Sequence, residues 1–285
     1  MDSLNLDPLL RQALSEDLGR GDITTNSILP GPLESSPPRR LRAQAVVNAK
    51  QELVLAGWPV FRRVFELLGG DVHGEPLFPE GATVGPGVIG ALHAEAFVLL
   101  RGERVALNLL QRLCGVATQT GQLVKLVSHT DVKILDTRKT TPLWRGLEKY
   151  AVRIGGGHNH RMGLDDGVLI KENHIAVAGG IEVAIESCRK RVSPLHKIEV
   201  EVRNLEEMEI AIEAGADLVL LDNMTPDQVA VAVRRTAGRC PLEVSGGVSR
   251  DTVVAYAESG VDFISLGALT HSYRCPDISM LLQTE

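Results

Sequence analysis

Short apolar runs of strand type recur through the second half of the chain: KILDTRK (133–139), GVLIKENHI (167–175), KIEVEV (197–202), LVLLDN (218–223), PLEVSGG (241–247) and FISLGAL (263–269). Amphipathic stretches separate most of them. In NLEEMEIAIEAG (204–215), Leu205, Met208, Ile212 and Gly215 recur at helical spacing, and Asn204 is placed to cap the first turn. TPDQVAVAVRRTAG (225–238) opens with Thr225 as cap and Pro226 at the first helical position, and closes on Gly238. SRDTVVAYAESG (249–260) repeats the design with Ser249 and Gly260. Alternating strands and helices, each strand followed by a polar or glycine-rich turn, predict a β/α barrel. An open doubly wound sheet is the structural alternative, but no G-x-G-x-x-G fingerprint follows any of these strands.

The first hundred residues follow another pattern. Residues 4–18 predict a helix starting near Asp7-Pro8, and RRLRAQAVVNA (39–49) alternates as a half-buried strand does. AGWPVFRRVFELLG (56–69) has an amphipathic helical period, residues 74–94 are turn-rich with short strands, and 95–113 are helical again. This α+β unit is expected to be a separate domain over 1–108, with the barrel and a C-terminal tail over 109–285.

Composition narrows the classes. A formal charge of −6 argues against broad binding to nucleic acid or acidic membranes, and the basic clusters Arg39-Arg40-Arg42 and Arg189-Lys190-Arg191 are short enough to be solvated surface. The four cysteines (Cys114, Cys188, Cys240, Cys275) form no C-x-x-C pair, which fits neither a zinc ribbon nor a disulfide framework. No segment has the length and apolarity of a membrane span or a signal peptide, so a cytoplasmic location is expected.

Three of the eight histidines fall in GGGHNHRMGLDDGVLIKENHI (155–175), which raises a metal site, a nuclease motif or an anion pocket. Spacing disfavours metal: His158 and His160 straddle one residue of a glycine loop, while His174 lies beyond a strand. In a β/α barrel, chemistry belongs at the C-terminal strand ends. Here those ends carry Arg138 and Lys139, Lys171, Glu201, and Asp222, with Ser245-Gly246-Gly247 and Gly267-Ala268 after the last two strands. Burying such charges unpaired would cost several kcal/mol each, so a ring of structural ion pairs is the bland alternative to a site. Glu199 and Glu201 share one strand face, opposite Ile198, Val200 and Val202. Glu201 is nearer the mouth; Glu199 is expected to be an interior residue held by a lysine or arginine. Glu201 and Asp222 on adjacent strands suit one Mg²⁺, and the two glycine turns suit a phosphate.

These residues carry a resemblance. SEDLGRGDITT (15–25), ERVALNLLQRLCGVAT (103–118), LDTRKTTP (135–142), LEKYAVRIGGGHNHRMGL (147–164), LIKENHI (169–175), IEVEV (198–202), LLDN (220–223), EVSGG (243–247) and GALTHS (267–272) are together similar to the quinolinate phosphoribosyltransferase family. The resemblance implies a type II phosphoribosyltransferase with an N-terminal α/β open-faced sandwich and a β/α barrel. The expected activity is transfer of phosphoribosyl from phosphoribosyl pyrophosphate to quinolinate with decarboxylation, giving nicotinate mononucleotide. It also implies a homodimer with shared active sites, or a larger assembly up to a hexamer. By motif, Arg104 would reach quinolinate from the neighbouring subunit, and Arg138, His160, Arg161 and Lys171 would surround its carboxylates. Thr137 joins that substrate set. Lys139, Lys171, Glu201 and Asp222 would contact the ribose-pyrophosphate part and its Mg²⁺. Ser245, Gly246, Gly247, Gly267, Ala268 and His271 would hold the 5′-phosphate region. Cys114 and Trp144 depart from the family pattern. A nicotinate-type enzyme, a molybdate-linked paralogue and a non-catalytic phosphosugar-binding barrel are the rival readings.

Overall fold

The computed structural model of this chain describes residues 3–29 and 41–284. Arg39 and Arg40 of the first basic cluster lie outside the described residues. The chain divides into two compact units: Met1–Gln119 with Tyr273–Glu285, and Thr120–Ser272. No helix among the described residues is long and apolar enough to cross a membrane.

The first unit opens with α1 (Ser3–Leu18) and α2 (Ile23–Ile28). The helix does not start at Asp7-Pro8; Pro8 lies inside α1, and the Asp7 carboxylate instead binds Arg63, with Oδ2 2.6 Å from Nη2. Strand β1 (Arg42–Ala49) alternates half-buried and buried positions as its sequence does, followed by β2 (Leu53–Val54) and α3 (Trp58–Leu67). α3 buries Trp58, Val60, Phe61, Val64 and Phe65, and the Glu80 carboxylate caps its start by accepting from the Gly57 and Trp58 amides at 2.6 and 2.8 Å. After β3 (Thr83–Val84) comes β4 (Gly87–Glu95), then α4 (Ala96–Leu126). At Gly90 of β4 an added Cβ would fall 2.3 Å from the Trp58 ring, so glycine lets the indole lie on the sheet. The last strand of the chain, β11 (Ile278–Thr284), completes an antiparallel sheet of order β11-β1-β4.

The expected boundary at 108 thus differs from the observed division, which falls inside α4, and the C-terminal tail groups with the first unit. Both differences have one origin. Helical periodicity shows where residues turn, but α4 runs without a break past 113, and strand partners for 278–284 leave no mark in local sequence.

The second unit holds β5 (Lys133–Leu135), α5 (Arg145–Ile154), β6 (Val168–Ile170), α6 (Glu172–Ala178), α7 (Ile181–Arg191), β7 (Ile198–Val202) and α8 (Leu205–Glu213). It continues with β8 (Leu218–Asp222), α9 (Pro226–Thr236), β9 (Leu242–Ser245), α10 (Val253–Glu258), β10 (Phe263–Ser265) and α11 (Ala268–His271). Asn204 and Thr225 cap α8 and α9, the latter with a full capping box through Gln228. Ser249 does not cap α10, which begins only at Val253 after a turn. KENHI, expected at the end of a strand, instead opens α6: Nδ1 of His174 accepts from the Lys171 amide at 2.9 Å.

All six strands pair in parallel, in the order β5-β10-β9-β8-β7-β6. On the outer edge of β5 the His158 main chain adds a parallel bridge, donating to Ile134 O at 2.8 Å and accepting from Asp136 N at 3.1 Å. Residues from all six strands line one cavity, so the sheet is wrapped into a barrel rather than splayed open. Its polarity is inverted. Ile198, Val200 and Val202 are fully buried outside the barrel wall, while Lys197, Glu199 and Glu201 line interior cavities.

Candidate active site

A cavity of about 550 Å³ opens at the C-terminal ends of the strands. Thr137, Arg138 and Lys139 reach it from the segment after β5, His160 and Arg161 from the loop after α5, and Lys171 from the end of β6. Glu201 and Asp222 reach it from β7 and β8, and Ser245, Gly246 and Gly247 from the end of β9. Gly267 and His271 adjoin Lys139: a Cβ on Gly267 would fall 2.8 Å from Lys139 Cδ and 3.0 Å from His271 Nε2. Ala268 opens α11 directly after Gly267. Arg104 lies in the first unit, exposed on α4, and is not among the residues lining this cavity.

The β5 end is anchored from beneath. Asp136 and Lys149 of α5 form an ion pair with both side chains fully buried. Lys149 also donates to His160 O at 3.0 Å, and the Asp136 carboxylate accepts from the His160 amide at 2.9 Å and from Asn159. Burial pushes the Asp136 carboxyl up and the Lys149 ammonium down, each against the pull of its partner. An ion pair this dry returns little net stability; its effect is to fix the 158–161 loop against β5. Glu148 secures the next turn, accepting from the Thr141 amide at 2.9 Å and its hydroxyl at 2.7 Å.

Arg161 donates to Gly167 O at 3.1 Å, and burial together with nearby Arg138 pushes its pKa down. Two guanidinium groups held close enough to repel are stabilised by an anion, and their planar forks match carboxylates. Lys171 pairs with Glu201, and Asp222 Oδ2 accepts from Asn223 Nδ2 at 2.8 Å. Glu201 and Asp222 thus bring two carboxylates to one cavity. Gly246 and Gly247 have φ of 84° and 69°, and a Cβ on Gly246 would collide with Asn223 Oδ1 at 2.3 Å. Their amides donate to no acceptor among the described residues, leaving them free for an anion.

Deeper in the barrel, His160 does not present free nitrogens. Its Nε2 lies 3.0 Å from Glu199 Oε2 and 3.6 Å from Glu243 Oε2, and Nδ1 accepts from the Arg161 amide at 2.7 Å. Glu199 is therefore held by a histidine, not by a lysine or arginine, because Lys197 lies one repeat below it and Lys171, at the cap of α6, pairs with Glu201. Glu243 was not anticipated. It stands two residues before Ser245, on the same strand face, so the parity that placed Glu199 inside places Glu243 there too. Asn223 and the Asp136–Lys149 pair were also missed, since nothing local in sequence shows which outward polar residues a helix will cover.

Charged ends on successive parallel strands gather with glycine turns whose amides are free, which makes the mouth of this β/α barrel suited to an anion. Known proteins narrow the class. Residues 22–114 match the N-terminal domain of quinolinate phosphoribosyl transferase and residues 116–281 its C-terminal domain. A probable nicotinate-nucleotide pyrophosphorylase [carboxylating] of Bacillus subtilis is 43% identical, over 98% of this chain and 94% of the relative. One of Methanocaldococcus jannaschii is 41% identical over 95% of both. The crystal structure of NadC from Streptococcus pyogenes superimposes with a TM-score of 0.93 at 37% identity, covering 100% of this chain and 99% of that one. Human nicotinic acid phosphoribosyltransferase, at 14% identity and a TM-score of 0.58, shares the fold alone, covering 86% of this chain and 70% of that one. The chain belongs to the quinolinate phosphoribosyltransferase family, and it is a phosphoribosyltransferase enzyme.

Proposed function

We infer that the chain transfers the phosphoribosyl group of phosphoribosyl pyrophosphate to the ring nitrogen of quinolinate with loss of CO₂, yielding nicotinate mononucleotide and pyrophosphate for NAD synthesis. The observation carrying this reading is the pairing of Arg138 with Arg161 in the same cavity as Lys171, Glu201, Asp222 and the 245–247 glycine turn. One end suits a dicarboxylate and the other a phosphosugar.

The Arg138 and Arg161 forks orient quinolinate so that its nitrogen faces C1 of the ribose, and His160 lines the floor beneath it. As the C1–O bond breaks, its electron pair leaves with pyrophosphate and the nitrogen lone pair forms the new C1–N bond. Lys139 and Lys171 sit where negative charge grows on the leaving group. Glu201 and Asp222 suit Mg²⁺, offering hard carboxylate oxygens to one cavity; bound there, the ion would neutralise pyrophosphate charge. The Gly246 and Gly247 amides, with Ser245, Gly267, Ala268 and His271, receive the 5′-phosphate. The pyridinium formed then stabilises the pair left on C2 when the C2–carboxylate bond breaks, and a proton on C2 completes the product.

Arg104, exposed on α4, serves the acceptor end of a second copy, so the working unit is a homodimer with shared sites. The protein acts in the cytoplasm. The test is an assay with Mg²⁺, phosphoribosyl pyrophosphate and either quinolinate or nicotinate: mononucleotide from quinolinate supports the reading, and turnover of nicotinate alone overturns it.

A further inference from the structure

Glu243 is the least comfortable group in the barrel. It is fully buried, and neither of its carboxylate oxygens makes a well-formed hydrogen bond, although Ser265, Glu199 and His160 are its polar neighbours; Oε1 of Glu199 is likewise orphaned. An ionised carboxyl in that position, facing a second one, would carry an uncompensated desolvation cost. The His160, Glu199 and Glu243 ligand atoms all lie within 4.8 Å of one another, which invites a metal cage. The tautomer excludes it. The Arg161 amide donates to Nδ1, so the ring proton sits on Nε2, the one nitrogen that faces both carboxyl groups. A nitrogen holding a proton has no lone pair for a metal.

The same hydrogen bond decides where the shared proton rests. Burial pushes the His160 pKa down, but the hydrogen bond with Glu199 and the charges of Glu243 and Glu199 push it up, and the net shift is upward. Burial and the neighbouring Glu199 push the Glu243 carboxyl up to about 8. Histidine and glutamic acid thus compete for one proton. A second proton on His160 would go to Nδ1 and break its bond to the Arg161 amide. Glu243 makes no well-formed hydrogen bond that a proton would break.

We propose that Glu243 is a positioning residue that works as a neutral carboxylic acid: packed 3.6 Å from His160 Nε2 beside the Glu199 hydrogen bond, it fills the space that holds the ring and keeps a second proton off Nδ1, and through the His160–Arg161 main-chain hydrogen bond it fixes the acceptor-binding Arg161 at the cavity floor. This rests on the reading that the acceptor dicarboxylate lies over Arg161. Loss of this packing misplaces the acceptor end alone, because Lys139 and the 245–247 turn are held by other contacts.

The test compares the full chain with Glu243→Ala and Glu243→Gln, measuring KM for quinolinate and for phosphoribosyl pyrophosphate, alongside ¹⁵N-histidine NMR of the parent protein. Glu243→Ala is expected to raise KM for quinolinate about tenfold while changing that for phosphoribosyl pyrophosphate less than about twofold. Glu243→Gln, a neutral donor of the same shape, is expected to bring KM for quinolinate back to within about threefold of the parent. The His160 signal, assigned by its absence in His160→Gln, is expected to be a neutral ring with the proton on Nε2. Glutamine as damaging as alanine, equal changes in both KM values, or an Nδ1-protonated His160 overturns the proposal. The NMR arm needs no folded Glu243 variant. A parent chain without turnover of quinolinate sinks the functional reading instead, and leaves the tautomer to be judged on its own.

Discussion

Replacing Lys149 by methionine isolates what the buried pair under the site does. The substitution keeps the length of the stem and removes the ammonium from a side chain with no solvent exposure. Asp136 then loses its only cationic partner among the described residues, while His160 O loses a donor at 3.0 Å. Removing one partner of a buried pair costs about 3–5 kcal/mol. At about 2–4 °C per kcal/mol for a unit of this size, the unfolding midpoint should drop by roughly 10 °C. Thermal unfolding followed by circular dichroism reads this directly. Asp136→Asn/Lys149→Met should then be less destabilised than the two single changes added together, since the pair's own attraction and desolvation are removed at once. KM for quinolinate should rise more than KM for phosphoribosyl pyrophosphate, because the 158–161 loop loses its anchor. A single variant within about 1 kcal/mol of the parent, or strict additivity in the double, would refute the reasoning.

Gly246→Ala, forced to a φ of 84° with its Cβ against Asn223, should destabilise by about 1–3 kcal/mol and raise KM for phosphoribosyl pyrophosphate; an unchanged KM removes the turn from the phosphate site. Glu243 has a folded pKa raised to about 8, so its contribution is full below the unfolded value of about 4.3 and is lost as pH rises through about 8. Urea midpoints of the parent should therefore fall relative to Glu243→Gln between pH 5 and 9, and parallel curves contradict an abnormal carboxyl there. Arg104→Ala and Glu201→Ala chains, each inactive, should regain activity when mixed under subunit exchange; no rescue with exchange demonstrated rules out a shared site.

The rhythm of strands and helices was legible because each βα unit writes its own local signals: Asn204 and Thr225 cap the helices assigned to them, and the charged strand ends converge on one cavity. What stayed hidden depends on partners distant in sequence. The fold of 278–284 onto β1, the length of α4 and the coverage of Asp136 by Lys149 come from packing between segments, which no local period encodes. The role given to His160 by motif was incomplete for the same reason. GGGHNHR shows a histidine at the mouth, but not the two glutamates, on separate strands, that face its Nε2, Glu199 at 3.0 Å and Glu243 at 3.6 Å. Glu243 could have been found by carrying strand parity back from Ser245.

The most direct test of the central claim is carbon balance with quinolinate labelled with ¹³C at the carboxylate next to the ring nitrogen. With Mg²⁺ and phosphoribosyl pyrophosphate present, the enzyme should release one labelled CO₂ for every nicotinate mononucleotide formed, and none when phosphoribosyl pyrophosphate is left out. Mononucleotide that keeps the label, or CO₂ released without the phosphosugar, would contradict it.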